Sequence, residues 1–84
     1  MTTIRQGSKI VVTDPDTGKK FVAVVTDLPH NDETLDVTHP NFQNAYLMSR
    51  VKNDPDFQTE SSIPDGTFKT VQISNIDVDL TDEI

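Results

Sequence analysis

Two apolar runs separated by a tight-turn sequence constrain the fold of this chain more than any other feature. Ile10–Val12 and Phe21–Val25 flank the turn sequence Asp14-Pro15-Asp16-Thr17-Gly18. Proline suits the second position of a tight turn, and glycine supplies the positive φ that closes a hairpin. The second run is apolar at every position, which is typical of a strand that is buried on both faces. The sequence therefore predicts a β-hairpin whose second strand lies inside a sheet.

Alternation of apolar and polar residues predicts two further strands. Leu35 and Val37 alternate with polar residues, as expected for a short, half-exposed strand. The turn sequence Ile63–Gly66 precedes a strand over Thr67–Ile73. Between these two strands, Phe57–Ser62 fits either an edge strand or a loop.

The apolar positions change parity after this last strand. Ile76 and its successors Val78 and Leu80 occupy even positions, whereas Val71 and Ile73 are odd. A bulge or bend at Ser74-Asn75 is the simplest explanation. The strand would then continue with Asp77 and Asp79 on its outer face.

The segment after Pro40 is the helix candidate. Proline is well placed in a first helical turn. Phe42, Ala45 and Tyr46 fall at i, i+3 and i+4, and Leu47 and Val51 add a second i, i+4 pair. We therefore expect one short helix over Asn41–Arg50, which needs tertiary packing to persist.

These elements predict a single small α+β domain over residues 1–80, followed by an acidic C-terminal tail over residues 81–84. The expected architecture is a curved antiparallel sheet of about five strands packed on one short helix. The alternative is an SH3-like small β-barrel, in which the helix shrinks to one turn. We expect the core to contain Phe21, Val25, Leu47 and Val71.

Composition limits the cellular compartment and the classes of binding partner that are expected. The 84 residues carry 14 acidic and 7 basic side chains, for a net charge of −7, and no cysteine. The absence of cysteine excludes disulfides and favours the cytoplasm. The basic residues are scattered, which argues against direct nucleic-acid binding. Met1–Gly7 has no apolar stretch typical of a signal peptide, and no apolar run approaches the ~20 residues of a membrane span.

No motif for catalysis, a cofactor or a metal is recognisable. His30 and His39 lie nine residues apart, one in a predicted loop and one before a proline, which is a weak pattern for a metal site. No serine lies in a Gly-x-Ser-x-Gly elbow, and the three glycines do not form a phosphate-binding loop. We expect a protein that is not an enzyme and that has no cofactor.

The order of these elements resembles the C-terminal domain of the bacterial Gre transcript-cleavage factors. Its segments lie in the same order from Gly7 to about Ile76. They are Gly7–Val12, Asp14–Gly18, Val22–Val25 with Asp27 and Pro29, Leu35–Pro40, the helix pattern Phe42, Ala45, Tyr46, Leu47 and Val51, and Pro64–Thr67 with Val71, Ile73 and Ile76. The resemblance implies the FKBP-like fold, in which a curved antiparallel sheet packs on one short helix.

The resemblance also implies a partner. In the Gre family this domain docks on RNA polymerase, so we expect a protein-interaction domain, associated with transcription, that binds RNA polymerase. The chain departs from the family at Met48 and Lys52, where glycine is usual. It also lacks the N-terminal coiled coil that carries the family's acidic tip, so cleavage activity is not carried over.

Candidate contact residues follow from these expectations. The exposed end of the predicted helix, near Arg50 and Lys52, and the segment around Phe57 are candidates for binding the partner. The alternative function is an acidic nucleic-acid mimic that inhibits a DNA- or RNA-binding protein, with a stripe of carboxylates that includes Asp77 and Asp79. In either case we expect a monomer or a weak dimer that does not bind a membrane.

Overall fold

Antiparallel strands are the main regular secondary structure of the described residues. The computed structural model describes residues 3–57 and 63–81. The strands are β1 (Thr3–Arg5), β2 (Lys9–Thr13), β3 (Lys20–Asp27), β4 (Thr34–Asp36), β5 (Tyr46–Val51) and β6 (Phe68–Gln72). The helical segments are short 3-10 turns at Pro29–Asn31, Pro40–Phe42 and Ile73–Asn75, and one α-helix, α1 (Val78–Thr81).

The strands within these ranges form two sheets. The larger sheet has the order β2-β3-β5-β6, and β1 pairs with β4 in a small second sheet. All of the pairs are antiparallel. After β6, the chain returns to the far edge of the larger sheet, where Ile76 forms an isolated bridge with Val12. The two sheets are open, so the fold is a small α+β domain and not the closed barrel of the SH3-like alternative.

The hairpin between β2 and β3 forms as predicted. The Gly18 N–H donates to the Asp14 carbonyl at 2.8 Å, and the Asp14 carboxylate accepts from the Asp16 N–H at 2.9 Å. Gly18 has a φ of 73°, a conformation that glycine adopts without steric cost. The turn therefore fixes the register in which Val12 lies opposite Phe21.

The central position of β3 is also confirmed. This strand pairs with β2 on one side and β5 on the other. Phe21, Val22 and Ala23 are buried in succession, so both faces of the strand are covered. The all-apolar sequence of this segment is explained by that double burial.

The predicted helix over Asn41–Arg50 is wrong. Only Pro40–Phe42 is helical, as a single 3-10 turn, and Tyr46–Val51 is strand β5. Burial alternates strictly along β5, with Leu47, Ser49 and Val51 inside. The helical spacing was genuine but covered less than three turns, and helices this short are marginal. A strand here gains ladders with both β3 and β6, which no short helix can match.

The predicted continuation of the last strand over residues 76–80 is wrong as well. The chain bends at the 3-10 turn Ile73–Asn75, close to the expected bend, and this turn accounts for the change in parity. Beyond the Ile76 bridge, the residues from Val78 form α1 instead of a strand. Thr81, assigned to the tail, ends α1, and its hydroxyl accepts a hydrogen bond from the Val11 N–H at 3.0 Å. The rest of the tail lies outside the described residues.

Two other predictions concern short segments, and one short strand was not predicted. Leu35 lies in β4, and both Leu35 and Val37 are buried as their alternation suggests. Phe57 follows a turn at Pro55–Asp56, and the remainder of the ambiguous segment Phe57–Ser62 is not described. Strand β1 has no counterpart among the predictions, because its three residues contain a single apolar side chain, Ile4.

The core is assembled from the inner face of the larger sheet and from side chains of the smaller one. The four expected core residues, Phe21, Val25, Leu47 and Val71, are all buried and belong to one apolar cluster. Ile4 and Leu35 join the same cluster from the second sheet. One buried polar side chain interrupts it: the Ser49 hydroxyl donates to the Lys69 carbonyl at 3.1 Å, which satisfies the buried group.

Two phenylalanines provide a matched test of this burial. Phe21 is 2% exposed and Phe68 is 55% exposed. Phe21→Ala should lower the free energy of unfolding by about 3–5 kcal/mol, because it leaves a cavity in the core. Phe68→Ala should lower it by no more than about 1 kcal/mol, since the ring is largely in water. Urea unfolding followed by far-ultraviolet circular dichroism measures both, and equal losses would contradict the assignment of inner and outer faces.

Candidate functional site

The outer surface of β5 and β6 carries a row of exposed aromatic, apolar and polar side chains. Three large apolar side chains are exposed there: Tyr46 at 57%, Met48 at 36% and Phe68 at 55%. They lie on one face because alternate residues of a strand point to the same side. We call this surface the β5–β6 face and define it by Tyr46, Met48 and Arg50 on β5 and Phe68, Thr70 and Gln72 on β6.

Cross-strand contacts hold this face in a fixed arrangement. Arg50 lies opposite Phe68, and its guanidinium carbon is 4.4 Å from the centre of the phenylalanine ring. This distance is that of a cation–π contact. Met48 lies opposite Thr70, whose hydroxyl donates to the methionine sulfur at 3.1 Å. Several side chains of the face are therefore ordered before any partner arrives, which reduces the entropy lost on binding.

The segments that form the β5–β6 face differ in charge from the rest of the chain. Segments 37–53 and 66–76, which include β5 and β6, contain no aspartate or glutamate. Together they make up 28 of the 84 residues, so an even distribution would place about a third of the 14 acidic residues in them. They do contain Arg50, Lys52 and Lys69. The β5–β6 face of a chain with a net charge of −7 thus carries Arg50 and no carboxylate.

Of the predicted contact residues, Arg50 and Lys52 come together at the end of β5. They line a shallow pocket of about 260 Å³, together with Val24 and Asp65. Phe57 is half-buried in the loop that follows and is not among the residues of the β5–β6 face. Arg50 is exposed, but on a strand and not at the end of a helix.

The loop after β5 is held by an ion pair. The Lys9 ammonium donates to the Asp54 carboxylate at 2.8 Å. This hydrogen bond, together with one from the Asp56 N–H, holds the pKa of Asp54 below its usual value. Asp54 is thereby committed to a structural contact between the loop and β2.

Asp77 and Asp79 do not form the predicted stripe. Both lie at α1, which packs beside β2 at the other end of the strand order from β6. The Asp77 side chain caps the helix by accepting from the Leu80 N–H at 3.1 Å, and it also accepts from the Lys20 ammonium at 2.9 Å. Asp79 is exposed on the same helical turn. The charge of Asp77 is thus partly neutralised by Lys20.

The histidines occupy separate structural positions. His30 and Asn31 both have a φ of 57° in the 3-10 turn after β3. This turn borders a cleft of about 300 Å³ that is also lined by Arg5 and Glu33. His39 lies elsewhere, where its Nδ1 accepts from the Asn41 N–H at 3.1 Å. Over residues 3–57 and 63–81, no group of three or more histidine, aspartate or glutamate side chains could hold a metal ion.

Sequence reasoning did not identify Tyr46, Met48 and Phe68 as surface residues. Tyr46 belongs to the predicted helix pattern, and the sequence of Tyr46–Val51 does not alternate between apolar and polar residues, although its burial alternates. The absence of acidic residues over segments 37–53 and 66–76 is a signal in the sequence itself that could have marked the surface. The pairing of β5 with β6 is what brings the two segments together.

No protein-family model, no curated protein and no solved structure matches this chain. In the part of the chain that the structure describes, no helix is long and apolar enough to cross a membrane.

The cap and ion pair of Asp77 predict a specific dependence of stability on pH. The hydrogen bond from Lys20, followed by that from the Leu80 N–H, lowers the pKa of Asp77 below its value in the unfolded chain. Such a group stabilises the fold above the unfolded-state pKa, and this stabilisation is lost as the pH falls through the lower folded-state pKa. Asp77→Asn keeps a capping oxygen but removes the charge, so its free energy of unfolding should fall less than that of the wild type from about pH 5 to about pH 2.

Two further variants separate the cap from the charge. Asp77→Ala removes both and should lose about 1 kcal/mol more than Asp77→Asn at neutral pH. Asp79→Asn removes a charge from the exposed side of the same turn and should retain the wild-type dependence on pH. Urea unfolding at each pH measures these differences, and identical pH dependence in the wild type and Asp77→Asn would contradict the assigned role of Asp77.

Proposed function

We propose that this chain is a non-enzymatic protein-interaction domain that binds a protein partner through the β5–β6 face. One observation carries the proposal: the three exposed large apolar side chains, Tyr46, Met48 and Phe68, lie together in the acid-free part of an otherwise acidic chain. Contiguous exposed apolar surface in a small domain marks sites of interaction. Charge is depleted and aromatic side chains, methionine and arginine are enriched at the centres of protein interfaces.

The chemistry of the face suits a binding role. Tyrosine and arginine dominate the residues that contribute most to binding energy in protein complexes. Tyr46 offers an aromatic ring on β5, and Arg50 covers the exposed ring of Phe68. The flexible side chain of Met48 between them can adapt to the shape of a partner. Both strands are fixed by pairing, and rigid elements position a binding surface more accurately than loops do.

We propose that the partner is a cytoplasmic transcription protein, with RNA polymerase as the first candidate. The support is the resemblance of Gly7–Val12, Asp14–Gly18 and Val22–Val25 to the C-terminal domain of the Gre factors. The segment that resembles the Gre helix lends no support, because most of it forms β5. An FKBP-like relationship of this domain to the Gre family is therefore proposed from the hairpin half of the chain alone.

The acidic-mimic alternative has less support. It depended on a stripe of carboxylates along a strand, and Asp77 is instead a helix cap paired with Lys20. The net charge of −7 is the observation that remains in its favour. Charge alone does not distinguish a mimic from an acidic domain that is merely soluble.

A direct binding assay tests the proposal. The chain is immobilised and purified bacterial RNA polymerase core enzyme is passed over it at low salt. The wild type should bind, and the double variant Phe68→Ala with Arg50→Glu should weaken binding by about tenfold or more, because it removes an anchor ring and reverses the adjacent charge. Lys19→Glu is the matched charge reversal at an exposed site of the hairpin turn and should bind like the wild type.

The outcomes distinguish the two parts of the proposal. No binding of polymerase by the wild type would remove the polymerase as partner. Binding that the double variant and Lys19→Glu reduce equally would contradict the role of the β5–β6 face, since only net charge would then matter.

A further inference from the structure

Strand β6 has one edge that pairs with no strand among residues 3–57 and 63–81. It lies at the end of the strand order β2-β3-β5-β6, with β5 on one side and no described strand on the other. The Val51 N–H donates to the Thr67 carbonyl, and the Ile73 N–H donates to the Ala45 carbonyl. Paired residues of an antiparallel ladder alternate between bonded and non-bonded positions, so residues 67, 69, 71 and 73 face β5.

The intervening residues therefore direct their backbone groups away from β5. Phe68, Thr70 and Gln72 each present one N–H and one carbonyl to the open edge, and none of these groups bonds to another described residue. The opposite edge of the sheet differs, because the segment after β6 covers it. There, the Asp77 N–H donates to the Val11 carbonyl and the Thr81 hydroxyl accepts from the Val11 N–H.

A cleft of about 190 Å³ lies between the β2–β3 turn and β6. Asp14 and Asp16 line it on the side of the turn, and Lys69 and Thr70 line it on the side of β6. The side chains of Phe21 and Val71 also border this cleft, so part of its lining is apolar.

Two cations flank the open edge. Arg50 lies on the β5–β6 face, and Lys69 lies on the opposite face of β6, where it lines the cleft. Neither has an ion pair with a carboxylate of the described residues. An alternating strand directs its carboxylates to one face, so carboxylates on the β5–β6 face would supply a partner for the Arg50 guanidinium, which lies over the Phe68 ring of β6. The opposite face, where Asp14 and Asp16 also line the cleft, would receive the apolar side chains.

We propose that the open edge of β6 accepts an extended segment of a partner protein as an additional strand, and that this segment carries carboxylates alternating with apolar side chains. This inference rests on the proposed function, since it names the part of the partner that the β5–β6 face and its edge bind. The backbone of the segment pairs with Phe68, Thr70 and Gln72. Its carboxylates lie on the β5–β6 face near Arg50, and its apolar side chains lie on the opposite face, beside the cleft that Phe21 and Val71 border.

Two other occupants fit less well. A second copy of this chain would offer β6 itself, whose charged side chain is Lys69, so like charges would come together across the new pair of strands. A single-stranded nucleic acid would supply phosphates, but phosphates only accept hydrogen bonds and cannot match an edge that alternates donors and acceptors. The Phe68 ring is also already covered on one side by Arg50, which leaves less of it for base stacking.

A pair of substitutions at one position tests the edge. Thr70→Pro removes the outward N–H and blocks the ladder, yet it breaks no bond to β5, and proline is tolerated on edge strands. Thr70→Ala removes only the side chain. The probe is the capped heptapeptide Glu-Val-Glu-Val-Glu-Val-Glu, titrated into nitrogen-15-labelled protein at low salt and followed by the amide resonances of Phe68, Thr70 and Gln72.

The expected result has three parts. The acidic heptapeptide should shift these three amides in the wild type and bind about tenfold more tightly than its Lys-Val counterpart. Thr70→Pro should bind the heptapeptide at least about tenfold more weakly than Thr70→Ala, since both variants lose the side chain and only the proline removes the backbone donor. As a check that does not depend on the folding of Thr70→Pro, backbone N-methylation of the heptapeptide at alternate residues should also abolish binding by the wild type.

Other results would overturn the inference. These are equal binding of the acidic and basic heptapeptides, tighter binding of a short oligothymidylate, or a dimer of the chain alone that Thr70→Pro dissociates in sedimentation equilibrium.

The polymerase assay separates this inference from the proposed function. If Phe68→Ala with Arg50→Glu weakens polymerase binding and Thr70→Pro does not, the face binds without strand addition and only the inference fails. If neither variant has an effect, both fail.

Discussion

The pairing of β5 between β3 and β6 is the interaction on which the rest of the structure depends. It places Leu47, Ser49 and Val51 inside and turns Tyr46, Met48 and Arg50 outward. Because β5 pairs with β3 on one side and with β6 on the other, β6 lies at the end of the strand order. A change of one residue in this register would exchange the inner and outer residues of β5, which would bury Arg50 and expose Leu47. The core and the candidate binding face are therefore two consequences of one register.

The elements that the sequence predicts well are those with strong local signals. The hairpin around Asp14–Gly18 combines proline, glycine and two apolar runs, and it forms where expected. The all-apolar composition of β3 likewise predicts its central position. In both cases the local pattern and the tertiary environment favour the same structure, which makes prediction from a single sequence feasible.

The elements that the sequence predicts poorly are those whose structure is decided by distant residues. The sequence of Tyr46–Val51 fits a helical spacing and does not alternate like a strand, and its strand structure depends on β3 and β6, which are far away in the chain. Residues 76–81 alternate like a strand, but the cap at Asp77 and the contacts of α1 with β2 make them helical. Prediction of the candidate site from the sequence is limited in the same way. Arg50 is identified from the sequence, whereas its neighbour Phe68 becomes visible only through the pairing of the strands.

The distribution of charge links the fold to the proposed role. Carboxylates such as Asp54 and Asp77 are engaged in ion pairs with β2 and β3, so part of the acidity serves the fold. The two acid-free segments meet on adjacent strands, where the exposed rings and Arg50 lie. The β5–β6 face thus carries an arginine and no carboxylate in a domain with a net charge of −7, and this difference would orient a complementary partner.

The account depends most directly on β5 being a strand that presents the β5–β6 face. Nuclear Overhauser contacts between α-protons measure this without assuming any partner, because the α-protons of non-bonded antiparallel pairs approach each other closely. We predict such contacts between Met48 and Thr70 and between Arg50 and Phe68. A series of contacts from α-protons to amide protons three residues later across Asn41–Arg50, with the cross-strand contacts absent, would indicate a helix and contradict the account.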